Sequence, residues 1–185
     1  MDPTTLIASL QEAVPGAHVE RAATIDLQPT IYVLRDQVGT ILRTLRERPG
    51  LEFDLLAELT AVDLWPHDPR FELVYILVSI ANNNRLRVKV RLGGDDPRLT
   101  TASGIWPAAN WLEREVWDLF GIVFDGHPDP RRLLMPEDWE GYPLRKDYPV
   151  QIRMTPRVVE PLQVTEQEFR ASVEADRLAR RDTSS

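Results

Sequence analysis

Two adjoining patterns between Phe71 and Leu92 constrain the fold more than anything else in the chain. Phe71 to Ile80 is an almost unbroken apolar, β-branched run, as expected of a strand covered on both faces. Asn82-Asn83-Asn84 follows, residues that tolerate left-handed turn geometry, and Arg85 to Leu92 then alternates without a break. The expectation is a hairpin at the centre of a sheet, with Leu86, Val88, Val90 and Leu92 facing the core. The opposite face of its second strand carries Arg85, Arg87, Lys89 and Arg91. At roughly 3.3 Å of rise per residue these cations stand about 7 Å apart. Such a row could receive an acidic partner or a phosphate chain, but the preferred reading is a solvated face that keeps sheets from pairing with one another.

Helices flank this centre. One is expected from Thr4 or Thr5, with Leu6, Ile7 and Leu10 on one face and a stop at Pro15-Gly16. After a strand at Ile31 to Leu34, Asp36 is placed to cap a second helix carrying Val38, Ile41, Leu42 and Leu45, which ends at Pro49-Gly50. Leu51 to Leu64 contains another strand, and Pro107 and Gly121 bracket a third helix. The fold class is therefore α+β, a single mixed or antiparallel sheet flanked by helices.

The texture changes at Asp125. Prolines stand at 128, 130, 136, 143, 149, 156 and 161, so neither helix nor strand can persist. Compact domains rarely hold a structureless loop beyond about 12 to 15 residues. Yet Leu133, Leu134, Met135, Trp139, Tyr142, Leu144, Tyr148 and Val150 are costly to leave in water. Part of this surface can lie back on the chain's own sheet; the rest suits wrapping over a partner. The expected organisation is an α+β domain over 1–124, an extended, proline-rich partner-binding arm over 125–161, and a short C-terminal helix with a mobile tail over 162–185. Thr165 and Glu168 supply that helix with a capping box.

Composition narrows the function. A formal net charge of -7 argues against a protein built to neutralise nucleic-acid backbones. Cysteine is absent, which removes disulfides, thiolate nucleophiles and clusters held by this chain's own sulfurs. No apolar run reaches the roughly 18 residues of a membrane span, and the N-terminus has no signal-peptide pattern, so a cytoplasmic, non-spanning protein is expected.

Glu113-Arg114-Glu115 cannot share one face of a helix that turns about 100° per residue. With Ala108, Leu112, Val116 and Leu119 as the apolar stripe, Glu115 falls at its edge beside Trp111 and is the carboxylate that needs a partner, while Arg114 and Asp118 pair at i, i+4. Arg131, Arg132, Arg145 and Lys146 are the candidate partners for Glu115. Glu113 and Glu115 also invite an acid/base reading, but positions i and i+2 diverge by about 200°. His18, His67 and His127 form no metal-binding pair, and Gly93-Gly94 has no nucleotide-binding fingerprint around it. His127 suits a turn, capping backbone groups or meeting Asp125 or Asp129.

The run Glu113-Arg114-Glu115-Val116-Trp117-Asp118-Leu119-Phe120-Gly121-Ile122, then Phe124, Gly126-His127-Pro128 and Arg131-Arg132-Leu133-Leu134, resembles the signature of the 30 kDa, or C, subunit family of respiratory NADH:quinone oxidoreductase (complex I). The likeness continues through Pro136, Asp138-Trp139, Gly141 and Pro143-Leu144-Arg145-Lys146-Asp147-Tyr148-Pro149. The resemblance implies a non-catalytic subunit of the peripheral arm, on the cytoplasmic side of the cell membrane and held there through the complex. It would contact the D subunit, which forms the quinone site, with the iron–sulfur subunits B and I nearby. FMN, iron–sulfur clusters and quinone would belong to other subunits, and this chain would hold no cofactor. Glu113, Arg114, Glu115, Asp118, His127, Arg131, Arg132, Trp139, Arg145, Lys146, Asp147 and Tyr148 become its interface or structural residues. The same subunit role in a membrane-bound hydrogenase or another quinone-reducing dehydrogenase is the near alternative. A free-standing hydrolase using Glu113 and Glu115, or an RNA-binding module using the Arg85 to Arg91 row, are the distant ones.

Overall fold

A computed structural model of the chain describes residues 3–26, 28–149 and 165–171. The chain divides into two compact units, Met1–Tyr148 and Pro149–Ser185. In the first, α1 (Pro3–Ala13) leads to β1 (Val19–Arg21) and β2 (Thr30–Val33), then a 3-10 turn at Arg35–Gln37 and α2 (Val38–Glu47). β3 (Leu55–Asp63), β4 (Phe71–Ser79) and β5 (Asn84–Leu92) follow, then β6 (Arg98–Thr100), α3 (Ala109–Phe120) and β7 (Val123–Asp125).

The main sheet has the order β1-β2-β5-β4-β3, and a small parallel pair β6-β7 stands beside it. β4 and β5 form the expected hairpin, with Leu73 opposite Val90 and Tyr75 opposite Val88. β4 is an interior strand, but the middle position goes to β5, because β2 adds to its far edge in parallel through Ile31 and Val88. That single parallel pairing makes the sheet mixed. β3 pairs antiparallel with β4 and carries a bulge between Leu56 and Glu58, which re-aims its side chains near the start of the strand.

One face of the sheet and the helices share a continuous core. α2 presents Val38, Ile41, Leu42 and Leu45 to it, all essentially inaccessible to water. Each such burial is worth roughly 2 kcal/mol. Asp36 does not cap this helix. It lies in the 3-10 turn, and the cap position falls to Gln37, whose side chain instead bonds Gly16 O and the His18 N–H and so ties α2 to the end of α1. Trp106, in the turns leading to α3, is buried and donates its indole N–H to Phe53 O at 3.1 Å.

Beyond β7, residues 126–149 contain no helix or strand. They advance by turns. The remainder of the expected arm, 150–161, lies outside the described residues, as do 162–164 and 172–185. In the second unit, 166–171 is helical, and Thr165 and Glu168 make the reciprocal capping bonds expected from their spacing, each side chain accepting the other's backbone N–H.

Candidate functional site

The buried face of α3 is not the one that hydrophobicity picks out. Ala109, Glu113, Val116 and Phe120 are buried, with spacings of four, three and four that trace one helical stripe, and Arg114 and Asp118 are buried beside it. Leu112, Glu115 and Leu119 are only half-buried. The carboxylates that need partners are therefore Glu113 and Asp118, not Glu115. The expected Arg114–Asp118 pair does not form either, because each has found a partner in the chain that follows the helix.

Asp118 is the centre of a latch. One carboxylate oxygen accepts the backbone N–H groups of Leu133, Leu134 and Met135 at 3.0, 2.7 and 2.8 Å; the other accepts Arg132 Nη1 at 2.6 Å. Burial pushes this carboxyl up, but the Met135 N–H, Arg132 and the other two amides outweigh it and hold it below its usual range. The Arg132 guanidinium lies over the rings of Trp117 and Tyr142 and also donates to Trp139 O. Arg114 donates to the carbonyls of Arg131 and Arg132 at 3.0 Å and stands 3.3 Å from Asp129. The buried charges of the helix and of the segment after it are thus satisfied within the chain.

The helix C-terminus is closed by the same segment. Gly121 takes a left-handed φ of 72°, and its N–H bonds Trp117 O. A side chain there would collide with Tyr142 and Arg145, so only glycine lets them close over the helix end. Arg145 donates to Phe120 O at 2.6 Å, which places a cation on the negative end of the helix dipole, and its guanidinium rests on Phe71 and Tyr142. Leu144 N–H reaches back to Leu119 O. Arg70 then clamps Asp147 and Asp63 with paired bonds of 2.7 to 3.0 Å, and Lys146 N–H also donates to Asp63. Burial raises the Asp63 carboxyl, and Arg70 with two backbone N–H groups overturns this and brings it down to about 2. Trp139 and Tyr148 stack, and the Tyr148 hydroxyl donates to Glu140 O.

Glu113 has a different setting. It is fully buried and accepts the Thr101 hydroxyl and, at 2.6 Å, the Ala102 N–H. No arginine or lysine pairs with it among the described residues. Burial therefore dominates and raises its carboxyl to about 7, against the opposing pull of Thr101 and Ala102. His127 Nε2 is 3.8 Å away. The His127 ring accepts Asp129 N–H at Nδ1, so Nε2 carries the proton and donates to Asn110 O at 3.0 Å. The phenol of Tyr75 is also fully buried, has no hydrogen-bond partner among the described residues, and is pushed well above its ordinary range by burial and by Glu113.

The other sequence candidates lie outside this network. Glu115 makes no ion pair among the described residues. Its proposed partners are engaged elsewhere, Arg131 with Asp129, Arg132 with Asp118 and Arg145 with the helix carbonyls, while the Lys146 ammonium is exposed. Glu113 and Glu115 do not converge, the first being sealed in the core and the second half-exposed two positions on. In the Arg85 to Arg91 row, Arg87 pairs with Asp26, Lys89 with Glu72, and Arg91 lies over the Tyr32 ring. Sequence reasoning missed Asp63, Arg70, Thr101 and Tyr75. Only Asp63 left a signal, an acid at an inward-facing position near a strand's end; Thr101 and Tyr75 matter through chain crossings that no local pattern records.

The fold recurs in solved structures. The trypsin-resistant fragment of Nqo5 superposes with a TM-score of 0.58 at 31% identity, over 70% of this chain and 99% of the fragment. A chain of a membrane-bound sulfane sulfur reductase, an archaeal respiratory membrane complex, gives 0.67 at 31% identity, over 80% of this chain and 85% of that one. The class is that of respiratory-complex subunits. The chain belongs to the family of the respiratory-chain NADH dehydrogenase 30 kDa subunit, whose model matches residues 31–153. The NADH-quinone oxidoreductase C subunit of Roseiflexus sp. is 42% identical over 150 residues, 81% of this chain and 86% of its own length. Its counterpart from Geobacter sulfurreducens is 50% identical over 123 residues, 66% of this chain and 75% of its own. Membership makes the other subunits of such a complex its partners. Among the described residues, no helix is long and apolar enough to cross a membrane.

Proposed function

We propose that this chain is a non-catalytic assembly subunit of the peripheral arm of a proton-translocating NADH:quinone oxidoreductase. It holds the quinone-site D subunit and the iron–sulfur subunits B and I in register on the cytoplasmic side of the membrane, while FMN, clusters and quinone are carried by those and other subunits. The observation that carries this reading is how α3 and residues 129–148 divide their chemistry. Arg114, Asp118, Arg132 and Arg145 spend their buried charge within α3 and 129–148, and beside them Trp111, Leu134 and Leu144 remain 59%, 58% and 51% exposed, with Glu115 lacking an ion pair among the described residues and the Lys146 ammonium exposed. Apolar anchors rimmed by free charges are what a partner interface needs.

The test separates assembly from folding. Leu134→Glu with Leu144→Glu changes exposed side chains only, so unfolding of the purified chain should move by no more than about 0.5 kcal/mol. Assembled complex, read on native gels of membranes, should fall sharply, as it should with Glu115→Gln. An unchanged level of complex in both variants overturns the reading. The likeness to the sulfane sulfur reductase chain favours a second one, the equivalent subunit of a related machine such as a membrane-bound hydrogenase or another quinone-reducing dehydrogenase. The subunits recovered with the native chain from its own membranes discriminate the two.

A further inference from the structure

The helices cover one face of the five-stranded sheet, and the other face has an unusual make-up. On an open antiparallel face water normally meets polar side chains. Here Ile76 and Val78 of β4 are half-buried, Leu55 and Val62 of β3 are 43% and 42% exposed, and Ile80 in the following turn is 69% exposed. The pairing register sets these side chains next to the cations of β5: Val78 lies between Leu55 and Arg85, and Ile76 between Glu58 and Arg87.

The cations of that row are not equivalent. Arg87 and Lys89, in the middle, are neutralised by Asp26 and Glu72 at 2.7 and 2.6 Å. Arg85 and Arg91, at the two ends, are exposed, and neither has a carboxylate at ion-pair distance among the described residues. Six residues of strand separate them, roughly 20 Å. An α-helix covers that span in about 13 residues.

We propose that this open sheet face is a second docking surface, occupied by an acidic amphipathic helix of another polypeptide. Its apolar side covers Leu55, Ile76, Val78 and Ile80, and carboxylates near its two ends meet Arg85 and Arg91. Charge selects this occupant. On a chain of net charge -7, Arg85 and Arg91 are two exposed cations without an ion pair among the described residues, and they give an acidic segment two points to meet. The apolar half of the face offers nothing to a phosphate backbone, and a helix lying on a bare sheet completes the layered packing that sheets otherwise obtain within one chain. The surface is separate from the exposed residues of α3 and 129–148, so it stands even if the reading of those residues fails.

The experiment uses the intact complex in its native membranes. Photoreactive benzoylphenylalanine replaces Ile80 in one strain and Val62 in another, and crosslinked peptides are identified by mass spectrometry. The expected product joins either site to an acidic, amphipathic segment of another subunit. Its yield should fall roughly tenfold with Arg85→Glu and Arg91→Glu together, which corresponds to about 1.4 kcal/mol of lost attraction. It should recover when the acids of the crosslinked segment are changed to lysine. Crosslinks to lipid, to RNA or to this same chain overturn the proposal, as does a yield unmoved by the charge reversal or no crosslink in an assembled complex. Leu134→Glu with Leu144→Glu serves as control, since loss of crosslinking there together with loss of the complex reports on assembly and not on this face.

Discussion

At the scale of single residues, the chain holds two buried carboxyls of opposite character. Glu113 is raised to about 7 and Asp63 lowered to about 2. Their pH signatures have opposite signs. The stability Glu113 contributes is fully present below about 4.5 and is lost as pH rises through 7, because the unfolded chain then releases a proton that the fold retains. Asp63 contributes above about 3.8 and loses its share as pH falls through 2. The unfolding free energy should therefore decline between pH 5 and 7 with a slope of up to about 1.4 kcal/mol per unit, against the usual expectation for carboxylates. Glu113→Gln should flatten that slope and leave the acid limb intact; urea titrations at about pH 2.5, 4.5, 6 and 7.5 read both. An unchanged slope removes Glu113 as its source.

Asp118 makes a prediction of a different kind. Its carboxylate is the common acceptor for Arg132 and three backbone amides. Asp118→Asn keeps the shape but leaves a part-buried guanidinium unpaired, a change that costs about 3 kcal/mol. These residues also show what the sequence could reveal. The motif marked Glu113, Arg114, Asp118, Arg132 and Arg145 as important, but choosing Leu112 and Leu119 as the inward stripe misassigned which carboxylate was buried. Apolarity is a sound guide only where the core is apolar. Here the partners of the buried acids, Thr101, Ala102 and the amides of 133–135, lie 11 to 17 positions away.

At the scale of elements, the regular parts were legible because they obey one rule each. α2 follows a helical period with an apolar stripe, β5 alternates strictly, and both occur where the pattern put them. What the pattern omitted was order: nothing local says that β2 joins β5 in parallel. The end of α3 carries the sharpest element-level test. Gly121→Ala adds a methyl group at a left-handed φ and into the space of Tyr142 and Arg145. It should destabilise the chain by about 1–3 kcal/mol and loosen the closure over the helix end. Thermal unfolding and quenching of the Trp139 emission would report the two effects; a neutral substitution would mean that the closure contributes little.

At the scale of the whole molecule, the first compact unit ends at Tyr148, so residues 129–148 belong to it. Trypsin should cut at Arg131 more readily than at Arg132 or Arg145, because its pair with Asp129 is exposed while the other two side chains are held against the helix end and the rings beside it. In Asp118→Asn, cleavage at Arg132 should accelerate by about 100-fold, following the population of the opened state. Equal rates in the two proteins would show that the carboxylate does not hold the segment down.

The parallel seam between β2 and β5 has a temporal meaning. Tyr32 is matched to Lys89, so on a ribosome adding about 5–20 residues per second the leading strands β1 and β2 are made several seconds before the edge that receives them exists. During that interval the N-terminal helix and its two short strands have no sheet to join. The main sheet can therefore close only once β5 has been made, with α1, β1 and β2 waiting for it.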